Sequence, residues 1–198
     1  MSEDHREFPI TSSQIEDEMK RENNKTQIKK TLRATIFTLI VVAAAAILVA
    51  TLWMPVLRIY GTSMTPTLNE GDIVISVKNA QYHTGQLVSF YYGNKLLVKR
   101  IIAGPGDWVN IDEMGNVYVN DMETPLEEPY IPAEEKAYGE VTILLPYQVP
   151  EDRYFVLGDH RATSADSRNA TIGCISEDQI VGRIVFCIWP LEGFGTVG

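Results

Sequence analysis

The chain has 198 residues, 45% of them apolar, and a formal net charge of −9. Residues 1–33 carry seven Lys/Arg and seven Asp/Glu, so the excess of acid belongs to residues 58–198, with ten basic against nineteen acidic side chains. An acidic domain argues against nucleic acid as a partner, because phosphate binding needs a basic footprint.

Residues 1–31 are polar and hold too few apolar side chains for a core, which predicts a solvated tail with at most a short helix. Ala34 to Leu57 then runs 24 residues without a charge. At about 1.5 Å per residue such a helix crosses a hydrocarbon layer of roughly 30 Å. Trp53 suits the interfacial aromatic belt, and Pro55 lies near enough to the end to be tolerated. A cleaved signal peptide is the rival reading. The long polar lead and the length of the apolar run favour a permanent anchor. Lys25, Lys29, Lys30 and Arg33 flank one side against Arg58 on the other, which places the N-terminus in the cytosol. The expected organisation is therefore a cytosolic tail (1–33), a transmembrane helix (34–57) and an extracytoplasmic domain (58–198). Its 141 residues suffice for one core.

Beyond the anchor lies Gly61-Thr62-Ser63-Met64-Thr65-Pro66-Thr67-Leu68, a turn of small polar residues with no chemical signature of its own. Short strand-like runs follow. Ile73–Val77 is β-branched, and Leu87–Tyr92 and Lys95–Ile102 are joined by Gly93-Asn94 as a two-residue hairpin. Trp108–Ile111 and Val117–Asn120 form a second hairpin around Gly115-Asn116. Residues 121–150 are rich in Glu and Pro and read as a surface excursion, with only Val141–Leu145 strand-like. Tyr154–Leu157 and Ile180–Ile188 complete the set. Many short strands with Gly/Pro turns predict a mostly β domain. Cys174 and Cys187 lack the paired short spacing of a metal site and sit among apolar residues, which favours buried thiols over a disulfide. No cofactor or metal is expected.

Two places stand out chemically. Alternation along Leu96–Ile102 puts Lys99 on a face with Leu97 and Ile101, and Arg100 on a face with Val98 and Ile102. Both faces are apolar, so at least one cation points into hydrophobic surroundings. Burial lowers a lysine pKa and makes it a base near neutrality, whereas arginine stays protonated. A lysine snorkelling from an edge strand is the plainer alternative. The second place is Gly158-Asp159-His160-Arg161-Ala162-Thr163-Ser164-Ala165-Asp166-Ser167-Arg168, a dense set of charges and hydroxyls after an apolar strand. It reads either as a solvated loop or as a functional loop on a rigid scaffold. A Ser63–His160 arrangement oriented by Asp159 or Asp166 is a minor alternative.

These blocks, in this order, resemble the bacterial type I signal peptidases, membrane-anchored Ser/Lys endopeptidases of the short, Gram-positive-like form. The matching pieces are Gly61–Leu68, Gly71-Asp72-Ile73-Val74, Val98–Asp107 and Gly158–Arg168, spanning about residues 30–190. The resemblance implies a signal-peptidase-like β domain, with Ser63 as nucleophile and Lys99 as its general base. Ser164 is implied as the hydroxyl orienting that lysine, Asp166 and Arg168 as a supporting ion pair, and Arg100 and Asp159 as structural. It departs from some members in having Gly61 where a serine helps bind the oxyanion, and His160 where asparagine is usual. Lysine at position 99, rather than histidine, marks the bacterial type.

The implied activity is removal of signal peptides from secreted preproteins at the plasma membrane, through an acyl-enzyme. The implied topology is single-pass type II. A catalytically silent membrane-anchored β-rich binding or scaffold protein is the alternative. A Ser/Lys protease that cleaves itself or one dedicated partner is another, although such proteins usually carry a DNA-binding part and lack this anchor.

Overall fold

The computed structural model describes residues 12–78 and 81–197, and the chain divides into two units at Val49/Ala50. The first eleven residues of the expected tail lie outside the described residues. From Ser12 the chain is already helical, and α1 runs without a break to Trp53. The polar stretch and the apolar stretch thus form one helix. Over residues 34–53 its apolar side chains surround the axis instead of forming a stripe, and those described are exposed. A helix apolar all round has no soluble core to face. Among the described residues it is the one helix long and apolar enough to cross a membrane, which is compatible with anchoring.

The helix stops earlier than hydropathy predicts. Pro55 disfavours helical backbone in the residue before it and supplies no N–H. The last apolar residues turn into a strand instead. This is β1 (Val56–Arg58), which pairs with β2 (Ile73–Val77) from Val56↔Ile75 to Arg58↔Ile73.

The remaining strands are β3 (Leu87–Tyr92), β4 (Lys95–Ala103), β5 (Trp108–Ile111), β6 (Val117–Val119), β7 (Tyr147–Gln148), β8 (Arg153–Leu157), β9 (Ile175–Ser176), β10 (Ile180–Trp189) and β11 (Gly195–Thr196). Among the described residues they make an eight-stranded sheet in the order β1-β2-β10-β3-β4-β8-β9, with β11 also on β10. A second, three-stranded sheet has the order β6-β5-β7. Every pair is antiparallel. The predicted hairpins are present, with Tyr92↔Lys95 closing one across Gly93-Asn94 and Ile111↔Val117 closing the other.

Two expectations for residues 121–150 fail. Val141–Leu145 forms no strand; instead the Thr142 and Ile143 N–H groups donate to the Arg168 carbonyl. Nor is the stretch a mere surface excursion, since Glu128 and Ile131 are buried and Leu126, Ile143 and Leu145 pack on the core around Phe155 and Val109. Cys174 and Cys187 are both buried free thiols, and burial pushes the Cys174 thiol up to about 11.

Candidate active site

The turn carrying Ser63 is tied at its base, where Ile59 N–H donates to the Asp72 carbonyl and Gly71 N–H to the Ile59 carbonyl. Met64 and Leu68 fill a core with Val74, Leu87 and Ile184. Driving Met64 inward leaves its neighbour Ser63 half-buried at the rim, with its N–H free of any partner among the described residues. Gly61 lies at φ 79°, in the left-handed region that favours glycine. The serine that some members of the family carry here would be strained at this backbone angle.

Lys99 reaches this turn from the middle of β4. Its Nζ lies 2.6 Å from Ser63 Oγ, and the residue is 3% exposed. Desolvation pulls its pKa from 10.5 down to about 8, against the carboxylates of Asp166 and Asp159, while Arg168 pushes it further down. A substantial neutral fraction therefore exists near physiological pH, and in that form Ser63 O–H donates to Nζ. On the β8 side β4 is an unpaired edge at Lys99, but the side chain does not snorkel to water, because the residue is buried against the Ser63 turn.

The loop after β8 closes over the pair. Gly158 N–H donates to Asp166 Oδ2 at 3.1 Å, and His160 N–H donates to the Ser63 carbonyl at 3.2 Å. Arg168 grips Asp166 with Nε to Oδ1 and Nη2 to Oδ2, both 2.8 Å. Asp159 receives Arg100 Nε at 2.9 Å and Nη2 at 2.7 Å, and Thr67 Oγ1 donates to its Oδ2 at 2.5 Å. Thr67 stands in the Ser63 turn, so this network ties turn, strand and loop together. Both carboxylates are thereby occupied, and His160 Nδ1 is engaged with Thr163 Oγ1 at 2.7 Å. Among the described residues no carboxylate bonds to His160, so a Ser63–His160 arrangement has no orienting acid here.

Ser164 is buried, and its Oγ makes no hydrogen bond. The bond to Lys99 that the resemblance implies is not present in this structure. Its position depends on Gly158, where an added Cβ would collide with Ser164 Oγ and come within 2.5 Å of the Ser63 carbonyl oxygen. Gly158→Ala should therefore cost about 1–3 kcal/mol or more in stability and displace Ser63 relative to Lys99. Urea unfolding and an activity assay on the same sample check both effects.

A cleft of about 620 Å³ opens beside Ser63, between residues 56–61 and residues 95–98. Leu57, Ile59, Met64, Leu96 and Val98 make it largely apolar. Strand β8 pairs with β4 only from Arg100 to Ala103, and β1 pairs only with β2. Free strand edges thus flank the cleft, a form suited to an extended peptide.

Residues 29–189 match the family described as signal peptidase, peptidase S26. This chain belongs to that family. It is 32% identical over 183 residues to a signal peptidase I of Bacillus amyloliquefaciens, covering 88% of this chain and 97% of the relative. It is 34% identical over 185 residues to signal peptidase IB of Staphylococcus aureus, covering 84% and 94%. The crystal structure of a signal peptidase I from Enterococcus faecalis aligns with 52% of this chain and 96% of that chain, at 25% identity and TM-score 0.44.

In this chain Ser63 and Lys99 are in contact, Asp166 and Arg168 pair beside them, and Ser164 is near but unbonded. Sequence reasoning gave no part to Thr67, Tyr130 or Glu128, nor to Gly158 as a point of close approach. Gly158 had a signal in the tight Gly-Asp that ends an apolar strand; Glu128 had none.

Proposed function

We propose that this protein is a membrane-anchored serine endopeptidase that removes signal peptides from secreted preproteins by a Ser63–Lys99 dyad. The observation that carries the reading is a desolvated lysine amine 2.6 Å from a serine hydroxyl beside an apolar cleft. Neutral Lys99 takes the Ser63 proton as Oγ attacks the scissile carbonyl, and the protonated amine then serves the leaving group. Water releases the acyl-enzyme by the reverse transfer. The unpartnered Ser63 N–H is placed to receive the oxyanion. The family resemblance assigns Ser164 to orient the amine, although its buried Oγ is unbonded here, and the Asp166–Arg168 pair holds the loop. An extended signal-peptide end lies between the free edges of β1 and β4, with small apolar side chains in the cleft.

Anchoring by α1 confines enzyme and preprotein to one bilayer surface and raises their effective concentration. The cations before the apolar run put the N-terminus in the cytosol and the β domain outside. The test is cleavage of a preprotein by the full chain in detergent. Cleavage should be lost in Ser63→Ala, with an ascending limb near pH 8 in the parent. Undiminished cleavage by Ser63→Ala sinks the reading.

A further inference from the structure

The stretch between residues 121 and 150 holds one carboxylate with no exposed side-chain surface. Glu128 Oε1 accepts from Tyr130 Oη at 3.0 Å and from Arg161 Nη2, and its Oε2 accepts from Arg161 Nη1 at 3.2 Å. Lys136 Nζ stands 3.8 Å from the same carboxylate. Arg161 is itself 1% exposed, and its Nε donates to the Gly158 carbonyl at 3.1 Å. Its guanidinium therefore spans from Glu128 to the backbone residue on which Ser63 and Ser164 converge.

Burying both partners of an ion pair is costly, and an apolar pair of similar volume fills such space at no loss of stability. The contacts made around this pair point to placement of the loop. The Tyr130 ring packs 3.7 Å from the Arg100 guanidinium carbon, and Arg100 holds Asp159. Farther along, the Tyr138 carbonyl accepts from Arg168 Nη1 at 2.8 Å. Gly139, at φ 66°, leaves that guanidinium room, since a Cβ there would meet it. Residues 128–139 thus hold both ends of the Asp159–Arg168 loop. Glu128 is not among the charges that act on Lys99, which are Asp166, Asp159 and Arg168. Its influence on the dyad runs through geometry.

We propose that Glu128 is a positioning residue, acting through Arg161 to fix the loop that closes over Lys99 and Ser63. The proposal rests on the Ser/Lys reading of the site. Its test uses the full chain in detergent with two variants, Glu128→Gln and the double substitution Glu128→Leu/Arg161→Met. The double variant removes both halves of the buried Glu128–Arg161 pair and leaves only the partly exposed Lys136 without its counter-charge, so it is expected to keep its fold.

In the double variant kcat should fall about 10- to 100-fold, as a small misplacement from a remote change does. KM for the preprotein should stay within about threefold. The ascending limb of the pH profile should move above its position in the parent, because a loosened loop admits water to Lys99. A folded double variant with parental kcat and parental limb overturns the proposal, as does a fall in unfolding temperature alone. Should the double variant not accumulate, Glu128→Gln is judged by the same criteria below its own unfolding temperature. Lys99→Ala run alongside separates the two failures. If it still cleaves, the Ser/Lys reading falls; if it is inactive while the double variant is fully active, only the role of Glu128 falls.

Discussion

Replacing Lys99 with methionine should abolish preprotein cleavage and make the protein harder to unfold at neutral pH. The loss of rate follows from removing the base beside Ser63, and in hydrolases built on such a unit it amounts to about ten-thousand-fold or more. The gain in stability follows from the same burial. Folding takes the Lys99 pKa from 10.5 to about 8, so below pH 8 the native state carries a desolvated ammonium. At about 1.4 kcal/mol per unit, the penalty approaches roughly 3 kcal/mol as an upper bound. Methionine occupies similar volume without the charge. The sign is fixed by linkage. Between about pH 8 and 10.5 the unfolded chain binds the proton and the native chain does not, so parental stability rises with pH there. The advantage of Lys99→Met is therefore full below pH 8 and fades toward pH 10.5. Thermal unfolding of both proteins at pH 7 and pH 10 checks this. A methionine variant less stable than its parent at pH 7 would show that the native state favours the ammonium, which removes the basis for a general base.

The strand arithmetic around Lys99 was legible because alternation is local, and two neighbouring cations on a strand with two apolar faces cannot both reach water. Ser63 was not legible from its own residues. What fixes it is Met64 packing into a core built from β2, β3 and β10, which no short window contains. Hydropathy runs past the end of α1 because Val56 and Leu57 of β1 are as apolar as the helix before them, so it registers no change where Pro55 forces one. Val141–Leu145 has strand composition but finds the Arg168 carbonyl instead of a strand edge. Glu128 sits in a stretch whose Glu and Pro content predicts solvation. Its burial depends on Arg161, 33 residues away, and pairing at that distance leaves no local trace.

Asp166→Asn should unfold the domain at a temperature lower by about 10 °C or more, while the activity that remains shifts its ascending limb to lower pH. In the parent, Asp166 is 1% exposed and receives Arg168 Nε and Nη2 together with the N–H groups of Gly158 and Arg168. Asparagine keeps the shape but turns one acceptor into a donor facing donors, and leaves the Arg168 guanidinium buried without its counter-charge. Breaking one side of such a pair costs about 3–5 kcal/mol, which in a domain of this size gives the stated change in unfolding temperature. The pH effect has a separate origin. Asp166 is the foremost charge holding the Lys99 pKa up, and Arg168 pushes it down. Without the carboxylate, the limb falls below about 8. Arg168→Gln is similarly destabilising, yet it removes the repelling charge and moves the limb the other way. Opposite shifts from the two halves of one ion pair place the effect in the charges around Lys99. Parallel shifts would place it in an opened loop, and the Asp166–Arg168 pair would then be a latch with no electrostatic part in setting the base.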